Sequence, residues 1–148
     1  MDIIVFSMIC PIHGHNKYNL IYQSILSLDL FPSDLARIES KYYTTKMLDY
    51  GIPLDSRSNL TKTDWSSWSV AFSGDKQLEN TVWDKFYRFA NETPGRGPLS
   101  DCYNVSNGRV VHFHARPVLS ALFLRALLEN SEKIQEKTIL ILMGLNDL

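Results

Sequence analysis

The stretch from Pro117 to Asn130 constrains the fold more than any other. Its side chains are apolar nearly all round: Val118, Leu119, Ala121, Leu122, Phe123, Leu124, Ala126, Leu127 and Leu128, with Ser120 and Arg125 between them. Proline at the first helical position suits the start, because the N–H it lacks has no intrahelical partner there anyway. A helix without a polar face cannot lie on a surface and is expected to be covered on every side. The chain has 148 residues, enough for one domain with a modest core, yet it supplies few other helices to do the covering. A larger helical assembly, or self-association through apolar helix faces left exposed, follows as an expectation.

Periodicity places the other helices. Tyr18, Ile21, Tyr22, Ile25 and Leu26 fall at helical spacing, predicting a first helix from about Lys17 to Leu28. Phe31-Pro32 breaks it, and Ser33 is positioned to cap a second helix running to Tyr50, with Gly51 suited to the left-handed residue that ends it. Thr61 or Thr63 can cap a third helix to about Phe72, with Asp64 in the first turn, where the helix dipole favours a carboxylate. Ser73-Gly74-Asp75 reads as a turn. A fourth helix follows from Lys76 to Asn91 with Leu78, Val82, Phe86 and Phe89 along one stripe, and Pro94 forbids continuation. Thr93 to Arg109 reads as a long loop, Arg109 to Phe113 as a short strand-like piece, and Thr138 to Leu145 as an apolar run of either type. Helices two and four are amphipathic, while three and five carry little charge.

Two polar segments interrupt this pattern, YGIPLDSRSNLTKTDWSSW from Tyr50 to Trp68 and FANETPGRGPLSDCY from Phe89 to Tyr103. The first packs Asp55, Arg57, Lys62, Asp64, Trp65 and Trp68 together. Aromatic platforms beside carboxylates and cations suit a pocket for a small polar ligand.

The segments also carry a resemblance. YGIPLDSR, TKTDWSSW, FANETP followed by Arg96, Pro98 and Ser100-Asp101, and then Ala115-Arg116-Pro117-Val118, occur in an order and spacing similar to the fungal glutaminase A family. Lys17-Tyr18-Asn19-Leu20 and Leu28-Asp29-Leu30-Phe31-Pro32 match it as well. Departures are Gly97 for valine, Cys102 for tryptophan, His114 for glutamine, and Ser120-Ala121 for a glycine-rich helix start. The resemblance implies an all-α fold of antiparallel helical hairpins, part of an (α/α)6 six-hairpin, glycosidase-like toroid that is incomplete here. It implies a divergent segment over 1–16, a partial six-hairpin-like domain over 17–130 resembling the C-terminal end of the toroid, and a tail over 131–148. The chain thus reads as a fragment or truncated product. The implied activity is hydrolysis of L-glutamine to L-glutamate and ammonia without a cofactor, and the implied location is extracellular.

Amide hydrolysis needs a group that activates water and one that protonates the leaving amine. Asp55, Asp64, Glu92 and Asp101 form the acid/base pool. Each also has a structural reading: Asp64 as the charge at a helix start, Asp55 as the partner of Arg57, Glu92 as a turn acceptor. Arg57, Arg96 and Arg116 are candidate clamps for the α-carboxylate of glutamine, since a guanidinium binds carboxylate through two parallel hydrogen bonds. Lys62 can serve as a point charge. Trp65 and Trp68, three apart, share a helix face and can wall the substrate or belong to the core. Their suitability for stacking on sugar keeps a carbohydrate-active or glycan-binding alternative open, beside an inactive truncated product.

Other classes find little support. The formal net charge is −1 and no basic cluster occurs, so nucleic acid is not an expected partner. Met1 to Pro11 is apolar but too short to cross a bilayer, and it lacks the basic start and cleavage site of a signal peptide. His13-x-His15 and His112-x-His114 lack further ligands at metal-site spacing, so no metal is expected. No G-x-S-x-G elbow occurs, and Cys102 has no evident activating partner. Cys10 and Cys102 do not make a disulfide framework. Three Asn-x-Ser/Thr sequons occur, at Asn59, Asn91 and Asn104.

Overall fold

The structure is a computed structural model describing residues 16–94 and 97–130. The expectations for Met1–Pro11, His13, His15, Cys10, Arg96 and Thr138–Leu145 lie outside those residues. The described chain is mostly helical, as expected, with one short two-stranded ribbon that was not.

The predicted first helix is a 3-10 turn over Tyr18–Leu20 followed by α1, Ile21–Ile25. It stops early because the Gln23 side chain accepts from the backbone N–H of Leu30 and Phe31, drawing the exit loop back, and Leu26 and Leu30 are largely exposed among the described residues. The second helix, α2, spans Leu35–Thr45, shorter at both ends than expected. Ser33 does not cap it; Asp34 occupies the cap position without a side-chain cap bond. At its end Thr44 and Thr45 turn their hydroxyls back onto the carbonyls of Ser40 and Tyr42. Gly51 does not terminate the helix. It closes a later turn with Leu48 at φ 132°, a backbone shape L side chains rarely adopt.

The third and fourth helices match their predictions closely. Helix α3 spans Thr63–Ser73 and ends on Gly74 at φ 65°. Helix α4 spans Lys76–Glu92, and the Asp75 carboxylate caps it by accepting from the N–H of Gln77 and Leu78. Neither predicted threonine caps α3. The Thr61 hydroxyl donates to the Ile52 carbonyl and the Thr63 hydroxyl to the Asp101 carbonyl.

Helix α3 is the hub. The Tyr18–Leu20 turn, α1, α2, α4 and the segment Pro117–Phe123 all pack on it. Ser66, Ser67 and Ser69 are buried along it, and side chains that small let neighbouring backbones come close. Phe72 joins Leu20, Ile21, Leu35 and Leu124 in one apolar cluster, and Val70 joins Tyr43, Ile52, Leu78 and Val82 in another. A third, of Phe89, Tyr103 and Val105, ties the end of α4 to the ribbon.

The ribbon corrects the prediction of an uninterrupted loop. Strand β1, Leu60–Lys62, pairs antiparallel with β2, Cys102–Asn104. Arg109–Phe113 contributes an isolated bridge between Val110 and Tyr103 in place of the expected strand-like piece. The apolar segment from Pro117 is also less regular than predicted. It is a 3-10 helix over Pro117–Phe123, with residues 124–130 continuing as helix. Burial all round is not observed: Ala121 and Leu124 are buried, but Phe123 is 71% and Leu127 61% exposed. The elements needed to cover that far side are not among the described residues.

Candidate functional site

The ribbon brings the two polar segments together. Its register sets Leu60 opposite Asn104, Thr61 opposite Tyr103 and Lys62 opposite Cys102. The ladder continues one step further, where the Thr63 N–H donates to the Asp101 carbonyl at 2.8 Å. Thr63 is also the first residue of α3, so Asp101 is fastened directly against the start of the helix that carries Asp64. Two carboxylates 37 positions apart in sequence (101 − 64) therefore occupy one site.

Their environments differ. Asp101 is fully buried, and Arg116 donates from Nε to its Oδ1 at 3.0 Å and from Nη2 to its Oδ2. This two-pronged grip holds a carboxylate in one orientation. The guanidinium also lies over the Phe113 ring, 4.3 Å from its centroid. Asp64 is buried too, but its Oδ1 has no hydrogen-bond partner. Burial pushes its carboxyl above the ordinary value of 3.8, and the Asp101 charge adds to the push. The N–H of Trp65 and the Lys62 ammonium pull the other way without cancelling it. One acid is held in a single orientation, and its neighbour keeps one oxygen without a hydrogen bond.

Aromatic rings flank the acids. Trp65 stacks on Tyr18 with centroids 4.0 Å apart, and the Lys62 ammonium sits over Trp65, 5.2 Å from a ring centroid. Trp68 contacts Tyr18 at 6.0 Å and meets Tyr22 edge-on at 5.9 Å. Both tryptophans are half-buried, and Trp68 packs on the first apolar cluster, so the wall and core readings each describe one side of the pair. Tyr18, which in sequence looks like one more apolar position on a helix face, is set against Trp65 only by the fold. Lys62 makes no salt bridge among the described residues.

The remaining candidates lie elsewhere. Arg57 closes on Asp55, with its N–H to Oδ1 at 2.8 Å and its guanidinium to Oδ2 at 2.6 Å. Asp55 borders a recess of about 20 Å³, the size of one water, with Tyr42, Tyr43 and Lys46. Glu92 accepts from the Tyr50 hydroxyl at 2.7 Å and from Arg88, and these bonds hold its carboxyl below the usual range. Neither contact joins it to Asp64 or Asp101. Cys102 is buried, and burial with the Asp101 charge pushes its thiol up, which leaves it a poor nucleophile. His112 and His114 are exposed, and among the described residues no three His, Cys, Asp or Glu side chains gather to hold a metal. A cavity of about 180 Å³ has Ala90, Thr93, Pro98, Leu99 and Val110 in its wall, and touches this region only through Ser100.

Comparison with known proteins agrees with the sequence reading. The glutaminase A six helical-hairpin domain family matches residues 14–126. A glutaminase A from Aspergillus oryzae is 31% identical over 118 residues, which is 75% of this chain and 16% of that protein. A probable glutaminase from Arthroderma benhamiae is 33% identical over 96 residues, 63% of this chain and 11% of that protein. The chain thus spans well under a fifth of the length of these curated relatives. No solved structure matches it.

Proposed function

The chain belongs to the glutaminase A six helical-hairpin family, and from that premise we propose that its Asp64–Asp101–Arg116 cluster is the acid/base part of a site that hydrolyses L-glutamine to L-glutamate and ammonia. The observation that carries the reading is the contrast within the acid pair: Asp101 gripped by Arg116, Asp64 buried beside it with a free oxygen and a raised pKa. A carboxyl whose pKa is raised toward the working pH serves both directions of proton transfer. As carboxylate, Asp64 takes a proton from the water that attacks the side-chain amide carbon. As acid, it returns that proton to the nitrogen while the C–N bond breaks and the carbonyl re-forms. Ammonia leaves, and the carboxylate is ready for another cycle. Because Arg116 is engaged by Asp101, its part is to fix that acid. The Lys62 ammonium is left to attract the substrate α-carboxylate, with Trp65 and Tyr18 beside it for the aliphatic chain.

The remaining length of the relatives supports a wider frame. We read the helices here as part of an (α/α)6 toroid, and the exposed Tyr22, Leu26, Leu30, Phe123 and Leu127 suit packing against further hairpins or a second copy. The extracellular location implied by resemblance is part of the same proposal. The test is ammonia release from glutamine by the purified, folded chain, beside Asp64→Asn, with apparent mass measured in solution. Release that the substitution abolishes supports the site; no release, or release that survives Asp64→Asn, overturns it. A second reading, glycan binding or hydrolysis, is favoured by the Tyr18, Trp65, Trp68 and Tyr22 strip. Quenching of tryptophan fluorescence by saccharides and not by glutamine would select it. Failure of both leaves a non-enzymatic helical product.

A further inference from the structure

We propose that Asn59 is a site of N-linked glycosylation, and that of the three sequons it is the one the folded chain is built to carry. The sequon Asn59-Leu60-Thr61 opens β1. Asn59 itself is exposed, and its side-chain amide donates once, to the Ser106 hydroxyl at 2.7 Å, which is exposed as well. Glycosylation leaves one N–H on that nitrogen, enough for a single bond to Ser106 when the sugar replaces the other hydrogen.

The other sequons are less suited. Asn104 is half-buried in the paired strand, and its side-chain carbonyl accepts from the Ser106 N–H to shape the turn. In Asn91-Glu92-Thr93 the threonine is followed by Pro94, which fixes the backbone where the acceptor segment must stay adaptable.

The same geometry sets the timing. Thr61, whose hydroxyl the transfer needs, is fully buried and donates to the Ile52 carbonyl at 2.7 Å. It is therefore presented only before β1 pairs with β2, more than 40 residues downstream (102 − 60). In the transfer, Asn59 Nδ2 attacks the anomeric carbon of an oligosaccharide carried on a lipid diphosphate. The new C–N bond forms, the C–O bond to the diphosphate breaks, the lipid diphosphate leaves with the electron pair, and one amide proton passes to base.

The experiment is secretion of the full chain behind an added leader from a eukaryotic host, with intact mass before and after treatment with a peptide N-glycosidase. The expected result is one enzyme-sensitive mass increment, lost in Asn59→Gln and in Thr61→Val, and retained in Asn104→Gln and Asn91→Gln. Folded, unglycosylated chain offered afterwards to the transferase and its lipid donor should stay unmodified. No increment in the secreted wild type, an increment that survives Asn59→Gln, or modification of the folded chain each overturns the proposal. Because Thr61→Val also removes a buried hydrogen bond, Asn59→Gln at the surface is the decisive variant.

Discussion

Phe89 fastens α4 to the ribbon that positions Asp101, so its removal tests the packing on which the site depends. The side chain is fully buried, and its ring stacks on Tyr103 with centroids 3.7 Å apart and planes 8° apart. Tyr103 cannot easily follow a shrinking neighbour, because its hydroxyl donates to the Tyr50 carbonyl at 3.0 Å and its backbone sits in β2 opposite Thr61. Phe89→Ala therefore leaves a cavity that closes poorly. Truncating a core phenylalanine costs ~3–5 kcal/mol, and loss of a stacked pair worth ~0.5–1.5 kcal/mol moves the expectation to the upper part of that range. Against a total stability of ~5–15 kcal/mol the loss is large. It should lower the melting temperature by roughly 6–20 °C, at ~2–4 °C per kcal/mol for a chain this long. Phe89→Leu keeps most of the volume and should cost ~1 kcal/mol. Tyr87→Ala, at a side chain 70% exposed two residues away, should stay within ~0.5 kcal/mol. Urea and thermal unfolding followed by circular dichroism measure all three. If Phe89→Ala falls within ~1 kcal/mol of Tyr87→Ala, the stack does not hold the ribbon and the argument for a braced Asp101 fails.

The other expectations concern single groups. The Asp64 carboxyl holds its proton more tightly in the folded chain than at its ordinary value of 3.8. Its contribution therefore turns unfavourable as pH rises from 3.8 through the folded value, then stays constant. Asp64→Asn should flatten that fall, and pH-dependent urea midpoints that run parallel to wild type across that window would refute the burial argument. Asp75 behaves oppositely: the Ser40 hydroxyl and two helix N–H groups lower its pKa, so its stabilisation is present above 3.8 and lost as pH falls through the folded value. Asp75→Ala should cost ~1 kcal/mol near neutrality and blunt that acid sensitivity, read from urea midpoints at two pH values. Gly108 and Gly74 both have φ near 65°, but an added Cβ would meet the Tyr50 ring at 3.1 Å at Gly108 and open space at Gly74. Gly74→Ala should cost ~1–2 kcal/mol for the backbone alone, and Gly108→Ala more; equal costs by chemical denaturation would show that Tyr50 moves aside freely.

Much of the helical layout was legible because its signals are local. Gly74 ends α3, Asp75 caps α4 and Pro94 stops it, and each acts within about one turn of itself. The two motif segments meet at the ribbon. What the residues alone left open was whether each charge serves a site or a local contact. Asp55 bonds to Arg57, and Glu92 bonds to Tyr50 and Arg88. Buried Glu39, its pKa raised by burial, gave no sequence signal at all, since an acid on an amphipathic helix reads as part of its solvent face.

By itself, then, the sequence determined the extents of α3 and α4 and which two segments are polar. Only the tertiary structure decided that Asp64 and Asp101 come together, that Arg116 grips Asp101 while Asp64 Oδ1 has no hydrogen bond, and that Tyr18 backs Trp65. Three-residue strands such as Leu60–Lys62 and Cys102–Asn104 carry no periodicity to announce them. Their register is set by contacts across some 40 intervening residues (102 − 62), where side-chain packing and backbone hydrogen bonding outweigh any preference written locally in either strand.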